Sequence, residues 1–240
     1  MSAAPATPTV VLLHGWLCDA TDMRPLAARL VPHLAVTVPD LPGHGARAAL
    51  RSENPCTIAD LADAVLRGLP GPGPLLVVGH SLGGAVALEI AARVPERMTG
   101  LVLLDTTWAV VPPAPEVIAA PLEGDGYFAR RQALQHKRMD LHPAGTALPA
   151  ADPGTAADIF RDLMTWPGPQ RLRTAGCPVL AVFSGAHRAA AVTADQLPGV
   201  RARVLPDSGH WLMLERPDEV AALVLDLAAD HRRPAVGAGA

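Results

Sequence analysis

The segment VVGHSLGGAVALEI, residues 77–90, joins a short apolar run to a pattern that is typical of a helix. The apolar run fits a buried strand, and the Ala, Val and Leu residues after Gly84 recur at helical spacing. Between the two lies Ser81, with Gly79 and Gly83 on either side. Because glycines let a backbone turn sharply, the segment predicts a strand-turn-helix junction that presents the hydroxyl of Ser81 at the end of a strand.

Strand-like runs alternate with helical patterns on both sides of this junction. Runs that are apolar on both faces and separated by helices are typical of a parallel sheet covered on two sides. We therefore expect an α/β fold with a mostly parallel sheet of about six strands flanked by helices. The predicted strands are 9–15, 34–40, 74–80, 100–105, 178–185 and 200–207, and the predicted helices are 22–34, 57–69, 81–94, 188–197 and 217–231.

The alternation is interrupted between residues 108 and 174, where prolines are frequent and residues 127–141 and 156–166 have helical patterns. An insertion of this length after the carboxyl end of a strand is placed to cover a site as a helical lid. A helical excursion without a function is the alternative. The predicted units are a core of residues 1–107 and 175–230, a lid of residues 108–174 and a flexible tail of residues 231–240.

The bulk composition excludes several classes of partner. The 240 residues suit one compact domain, and a formal net charge of −3 gives no reason to expect nucleic acid or anionic lipid. Cys18, Cys56 and Cys177 are widely spaced, as reduced thiols of a cytoplasmic protein would be. The first residues lack a basic stretch and a long apolar run, so we expect neither export nor a membrane span. The expected protein is cytoplasmic, its partner is a small-molecule substrate, and its oligomeric state stays open.

Residues 79–83 match the pattern GxSxG in a strand-turn-helix context, which predicts Ser81 as a nucleophile. A serine hydroxyl needs a general base, because it is almost wholly protonated at neutral pH. Of nine histidines, His210 follows the last predicted strand and shares the carboxyl edge of the sheet with Ser81. We therefore predict His210 as the base. The alternatives are a helix-capping role for Ser81 and a surface or core role for His210.

A negative charge that develops on a carbonyl oxygen needs preorganised hydrogen-bond donors. The main-chain N–H of Leu82, directly after the serine, is one candidate donor. The turn after the first strand, residues 14–17, offers that of Trp16 as a second. These two amides are the predicted oxyanion hole.

Four motifs occur in order along the chain: HGW at 14–16, DLPGHG at 40–45, GHSLGG at 79–84 and GHWLMLERPDEV at 209–220. With these motifs the chain resembles the α/β-hydrolase fold superfamily. That resemblance implies Ser81 as nucleophile, His210 as base and the amides of Trp16 and Leu82 as oxyanion hole. The chain departs from the family at its start, because only eight residues precede the first strand, where the family usually has one or two antiparallel strands.

The position of the acid is a second departure. The family usually places it in a Gly-x-x-Asp turn after the penultimate strand, but residues 184–188 read SGAHR and contain no carboxylate. Some members use the end of the strand after the nucleophile helix, where this chain has Asp105. We predict Asp105 as the acid, which fixes the tautomer of His210 and stabilises its charged form. The alternatives are Asp195 as the acid and a turn-capping role for Asp105.

Aromatic residues are few, with four Trp, one Tyr and three Phe. Several adjoin the predicted site or lie in the predicted lid, which indicates an aromatic-walled pocket for a small apolar or aromatic substrate. Simple core positions are the alternative. The predicted wall consists of Trp16, Trp108, Trp211, Tyr127, Phe128 and Trp166.

These features predict a serine hydrolase that cleaves carboxylic esters through an acyl-enzyme, without a metal or an organic cofactor. The fold alone does not establish hydrolysis. Related proteins act as hydroxynitrile lyases, cofactor-independent dioxygenases or natural-product cyclases, in which His210 and Asp105 would form the base, and residues 105–115 resemble the dioxygenases. The unmodified GHSLGG motif favours hydrolysis. A non-catalytic small-molecule receptor is the third reading.

Overall fold

The computed structural model describes residues 6–49, 56–106, 141, 150–185 and 199–232. Within these ranges six strands form one sheet in the order β2-β1-β3-β4-β5-β6, and every neighbouring pair is parallel. The predicted α/β fold with a six-stranded sheet is confirmed. The strands are β1 (Thr9–Leu13), β2 (Ala35–Thr37), β3 (Leu75–His80), β4 (Met98–Leu104), β5 (Val179–Phe183) and β6 (Val200–Val204).

Helices follow most strands, and two of them begin with reciprocal caps that the sequence supplies. Asp19 caps the first helix together with Asp22, and Thr57 caps the second together with Asp60, so that each pair satisfies main-chain N–H groups at a helix start. None of the helices in the described ranges is long and apolar enough to cross a membrane. The helices are α1 (Ala20–Leu30), α2 (Ile58–Gly68), α3 (Leu82–Arg93), α4 (Pro153–Thr165), α5 (Gly168–Arg173), α6 (Leu212–Glu215) and α7 (Pro217–Arg232).

The sheet has a hydrophobic cluster on each face. Because side chains alternate along a strand, Val11 and Leu13 pack with residues of α2 and α3, whereas Val10 and Leu12 pack with residues of α1 and α7. Strands β3 and β4 are buried along their whole length. This covering on both faces explains why the central strands are almost continuously apolar.

The order of the strands determines which loops meet. Strand β3 lies between β1 and β4, and Gly79 pairs in register with Leu13 and Leu103. Since all three strands run in the same direction, their carboxyl ends lie side by side. The turn after β1, the start of α3 and the end of β4 therefore meet at one edge of the sheet.

The structure adjusts the predicted boundaries. Helix α7 extends to Arg232 and so includes His231 and Arg232, the first two positions of the predicted tail at 231–240. The described part of the predicted lid holds α4 and α5. The predicted helix 188–197 lies outside the described residues, as does the predicted helix 127–141 except for its last position.

Candidate active site

Ser81 lies at the turn between β3 and α3 with an unusual backbone conformation, φ 51° and ψ −113°. Its N–H donates to the carbonyl of Leu104, which ties the turn to the end of β4 at 2.9 Å. A Cβ on Gly79 would collide with the main chain of Gly83, and one on Gly83 would collide with the main chain of Leu13. The glycines of GxSxG are therefore required by close backbone packing, which holds Ser81 in a sharp turn.

Positive φ angles of residues other than glycine are concentrated at this edge of the sheet. In the described ranges they occur at Leu17, Ser81, Asp105 and Asp207, with φ between 47° and 57°. Leu17 belongs to the turn after β1, and Asp207 to the loop that leads to His210. Such conformations are strained for residues with a Cβ, and they persist where the surrounding structure enforces them. The surroundings of the candidate site thus hold its loops in fixed and costly conformations.

His210 and Asp105 are brought together from loops that follow β6 and β4. Nδ1 of His210 lies 2.6 Å from Oδ2 of Asp105. Asp105 is fully buried, whereas the side chain of His210 is 28% exposed. A carboxylate accepts the proton on Nδ1, so Nε2 of His210 keeps a lone pair that can accept a proton. This is the arrangement that a general base requires.

The turn after β5, which lacks a carboxylate, contacts Asp105. The main-chain N–H and the hydroxyl of Ser184 each donate to Oδ1 of Asp105, both at 3.0 Å. Oδ2 remains directed at His210. Sequence reasoning considered this turn only as a place for an acid and missed that it donates hydrogen bonds to Asp105, the residue directly after β4.

His210, the predicted base, lies beside the turn that holds Ser81. The ring centroids of His210 and His80, the residue before Ser81, are 4.6 Å apart. No hydrogen bond joins the hydroxyl of Ser81 to His210 within the described parts of the chain. Catalytic hydrogen bonds are often long or misaligned without substrate and tighten in the complex. His210 therefore stays the predicted base, beside the residue that precedes Ser81.

Two main-chain amides are available at the predicted oxyanion hole. Leu82 is the first residue of α3, where N–H groups have no partner within the helix. Trp16 lies in the turn after β1, which is closed by a bond from the N–H of Cys18 to the carbonyl of Gly15. Neither the N–H of Trp16 nor that of Leu82 donates to another described residue. As far as the described residues go, both amides, one at the start of α3 and one in the turn after β1, can therefore donate to a bound group.

The predicted aromatic wall is divided by the structure. Trp211 is buried and meets the ring of His210 edge-on, with centroids 5.4 Å apart. Trp16 packs against Phe160, and its indole N–H donates to a carbonyl of α4. Both therefore adjoin the site. Trp108, Tyr127 and Phe128 lie outside the described residues.

Trp166, the remaining residue of the predicted wall, is buried and hydrogen-bonded in the core. Its indole N–H donates to Oε1 of Glu89 at 2.8 Å. Glu89 is eight residues after Ser81 on α3, about 12 Å along the helix axis. This buried hydrogen bond holds the indole of Trp166 against α3, and Trp166 belongs to the hydrophobic cluster on that face of the sheet.

Glu89 is the centre of a buried charge network that sequence reasoning missed. Its side chain is 2% exposed and also binds Nε of Arg171 at 2.7 Å and a guanidinium nitrogen of Arg93. Burial opposes the charge of Glu89, but hydrogen bonds from Trp166, Arg93 and Arg171 outweigh it and lower its pKa. The network joins α5 and the end of α4 to α3. No local pattern signals it, because Glu89 and Arg171 are 82 residues apart.

Three more histidines, His14, His44 and His80, are buried at the same edge of the sheet. Burial lowers the pKa of His14, lowers that of His44 to about 4 and lowers that of His80 well below 6.5. All three are therefore neutral at pH 7. Within the described ranges, no group of three or more His, Cys, Asp or Glu side chains is arranged to hold a metal ion.

Comparison with known proteins identifies relatives over almost the whole chain. Residues 10–223 match the model of the alpha/beta hydrolase family. The chain is 31% identical over 229 residues to the pimeloyl-(acyl-carrier protein) methyl ester esterase of Chromobacterium violaceum, covering 89% of this chain and 84% of the relative. It is also 31% identical over 246 residues to the protein of the same name from Neisseria meningitidis serogroup B, covering 92% of this chain and 93% of the relative.

A solved structure has the same fold. The thermophilic esterase from Thermogutta terrifontis superposes with a TM-score of 0.74 at 24% identity, covering 96% of this chain and 92% of that one. At this identity the likeness concerns the arrangement of helices and strands alone.

Proposed function

The chain belongs to the alpha/beta hydrolase family and is an esterase-type hydrolase, and from this premise we propose that Ser81, His210 and Asp105 form its catalytic triad. The observation that carries the proposal is the contact between Nδ1 of His210 and Oδ2 of Asp105, 2.6 Å, beside the strained turn of Ser81. A buried carboxylate on one imidazole nitrogen directs the lone pair of the other away from it. The nucleophile turn adjoins this imidazole, because the ring of His80, the residue before Ser81, lies 4.6 Å from the ring of His210 between centroids.

The proposed reaction proceeds through an acyl-enzyme. Oγ of Ser81 attacks the ester carbonyl carbon while Nε2 of His210 takes the hydroxyl proton. The oxygen of the tetrahedral intermediate accepts hydrogen bonds from the N–H groups of Trp16 and Leu82, each worth roughly 3–4 kcal/mol in this role. When the C–O bond breaks, the charged His210 protonates the departing alkoxide, and Asp105 stabilises that charge until then.

Water completes the cycle. His210, neutral again after the alcohol has left, takes a proton from a water molecule that attacks the acyl-enzyme carbonyl. The second tetrahedral intermediate uses the same two amides, and its collapse returns the proton to Oγ of Ser81. The products are a carboxylic acid and an alcohol, and all proton transfers use the lone pair on Nε2 of His210.

For the substrate we propose a methyl ester, as in the names of the two bacterial relatives, carried on a longer acyl chain. A small alcohol portion suits a site at which Trp16, in the proposed oxyanion turn, packs against Phe160 of α4. The test compares kcat/KM for methyl, butyl and benzyl esters of one acyl chain. A preference for the benzyl ester would contradict a methyl ester as substrate and would instead favour an aromatic substrate.

A second candidate function is non-hydrolytic base catalysis by His210 with Asp105. It is favoured by one observation, namely that within the described residues Ser81 forms no hydrogen bond with His210. In this reading His210 removes a proton from the substrate itself, and Ser81 contributes little. Oxygen consumption with a hydroxyquinolone substrate tests this alternative for a dioxygenase.

The deciding experiment replaces the nucleophile. We expect Ser81→Ala to remove hydrolysis of p-nitrophenyl acetate to the level of the buffer, with an unchanged Tm, and a fluorophosphonate probe to modify the peptide that contains Ser81. The matched control is Thr99→Val, which removes a different hydroxyl, one that is buried at the opposite end of the sheet. Full turnover by Ser81→Ala would rule out an acyl-enzyme and favour the second candidate.

A further inference from the structure

His80 lies in the nucleophile turn and contacts the base loop through its imidazole. Its side chain is buried, with 1% exposed, and Nε2 lies 2.8 Å from the main-chain oxygen of His210. A carbonyl oxygen only accepts hydrogen bonds, so Nε2 of His80 carries the proton and donates it. Nδ1 of His80 is buried and has no partner among the described residues. The fold thus buries this ring although one of its polar atoms has no hydrogen bond among the described residues, and such an unsatisfied atom usually destabilises a protein.

The same ring supports the turn after β1. A Cβ on Gly15 would lie 2.7 Å from Nδ1 and 3.1 Å from Cε1 of His80, so the imidazole packs directly against the backbone of Gly15. Gly15 precedes Trp16, whose amide is one of the proposed oxyanion donors. His80 therefore touches the base loop and the oxyanion turn while it belongs to the nucleophile turn.

The His80 ring is neutral, which suits its position beside the ring of His210. Its pKa is lowered well below 6.5 by burial first and by His210 second; Asp105 raises it and His14 lowers it further. These are the titratable groups that face it from the neighbouring loops. A neutral ring 4.6 Å from the ring of His210 does not oppose the positive charge that His210 acquires during the reaction.

We propose that His80 is a positioning residue, which holds the main chain of His210 through its Nε2–H and the oxyanion turn through its ring. Base and oxyanion donors then keep their places relative to Ser81. His80 does not touch the reacting atoms. The proposal rests on the proposed ester hydrolysis, because it concerns the alignment of the groups that perform it.

Two amide substitutions test this role. In His80→Gln the side-chain amide reaches the position of Nε2 and can still donate to the carbonyl of His210, whereas in His80→Asn it is one methylene too short. We expect His80→Asn to lower kcat by about 10- to 100-fold, as displacement of a catalytic group by about 1 Å does, with little change in KM. We expect His80→Gln to recover most of that loss. Thr99→Val removes a buried hydrogen bond far from the site and should lower Tm without lowering kcat.

A spectroscopic measurement separates this proposal from the proposed function. In wild-type protein the Nδ1 proton of His210 should give a low-field NMR resonance, assigned by its loss in Asp105→Asn. We expect the resonance to broaden in His80→Asn and to remain in His80→Gln, without any substrate. If His80→Asn does not fold, His80→Phe, which keeps a ring but no donor, replaces it.

Two outcomes would overturn the positioning role. One is a wild-type kcat in His80→Asn, or in His80→Phe where it replaces that variant. The other is an equal loss of kcat in His80→Asn and His80→Gln. Failure of the ester assay in wild-type protein, combined with the expected NMR pattern, would instead reject the proposed function and leave the positioning of His210 intact.

Discussion

Ser184 gives the carboxylate of Asp105 two hydrogen bonds, one from its main-chain N–H and one from its hydroxyl, each 3.0 Å long. Both go to Oδ1, which leaves Oδ2 for His210. The turn after β5 therefore supports a carboxylate on the neighbouring strand instead of providing one. The residues that follow the adjacent strands β4 and β5 thus together hold the imidazole of His210.

The hydroxyl of Ser184 should contribute modestly to turnover. Hydrogen bonds to charged groups contribute about 1.5–3 kcal/mol, but in Ser184→Ala the main-chain N–H still holds Oδ1 of Asp105. We expect kcat to fall by about 10-fold or less and KM to stay unchanged, measured on a p-nitrophenyl ester. In the control Ser208→Ala the lost hydroxyl bonds only the carbonyl of Leu205, so kcat should be retained. A loss as large as that of Asp105→Asn would contradict the backup role of the N–H.

The carboxylate of Asp105 should be essential for rate. Asp105→Asn keeps the size of the side chain but removes the charge opposite Nδ1 of His210, which permits the wrong tautomer. We expect kcat to fall by about 10⁴-fold, as in the serine protease template. The control is Asp207→Asn, the same change at an exposed position three residues before His210. Normal turnover by Asp105→Asn would contradict Asp105 as the acid and indicate another carboxylate, such as Asp195.

The network around Glu89 should matter for stability. Glu89→Gln leaves Arg93 and Arg171 without their buried counter-charge, and loss of one partner of a buried pair costs about 3–5 kcal/mol. Because both guanidinium groups are partly exposed, we expect about 2–3 kcal/mol, measured by urea denaturation. Asp63→Asn, which removes a half-exposed partner of Arg93, should cost less than about 1 kcal/mol. Equal costs for the two variants would show that burial of Glu89 does not determine its contribution.

Acid should destabilise the fold through the buried histidines. Burial lowers the pKa of His44 from 6.5 to about 4, so between these values the unfolded chain binds a proton that the folded chain does not. The contribution of His44 to the free energy of unfolding is fully present above pH 6.5, and it falls by about 3 kcal/mol as the pH approaches 4. The measurement is urea denaturation at pH 7, 5.5 and 4. His44→Gln should show a smaller loss than wild type or the exposed control His33→Gln, and an equal loss in all three would contradict the assignment.

The nucleophile turn could be predicted from the sequence because its requirements are local. Glycines at 79 and 83 are needed for close backbone contacts within and beside the turn, so the pattern around Ser81 is compact and readable. The pairing of Asp105 with His210 could be predicted at the level of strand ends, since the carboxyl ends of parallel strands share one edge. The donor role of Ser184 could not, because it depends on side-chain geometry between two strands.

Contacts between distant segments account for what was missed. The sequence predicts Trp166 in the pocket because it is aromatic and lies in the predicted lid, but gives no sign of its hydrogen bond to Glu89, 77 residues earlier. His80 was recognised only as part of the nucleophile motif. Its contact with the carbonyl of His210, 130 residues later, has no signature in either segment.

The strand order has a consequence for how such a protein can diversify. The proposed oxyanion turn, nucleophile and acid follow β1, β3 and β4, which are neighbours in the sheet. All six strands of the sheet and Asp105 lie outside residues 107–149. Exchange of residues 107–149 for the corresponding segment of another family member therefore changes no residue of the sheet or of the proposed triad, and such a chimera should retain hydrolysis while it acquires a new substrate preference.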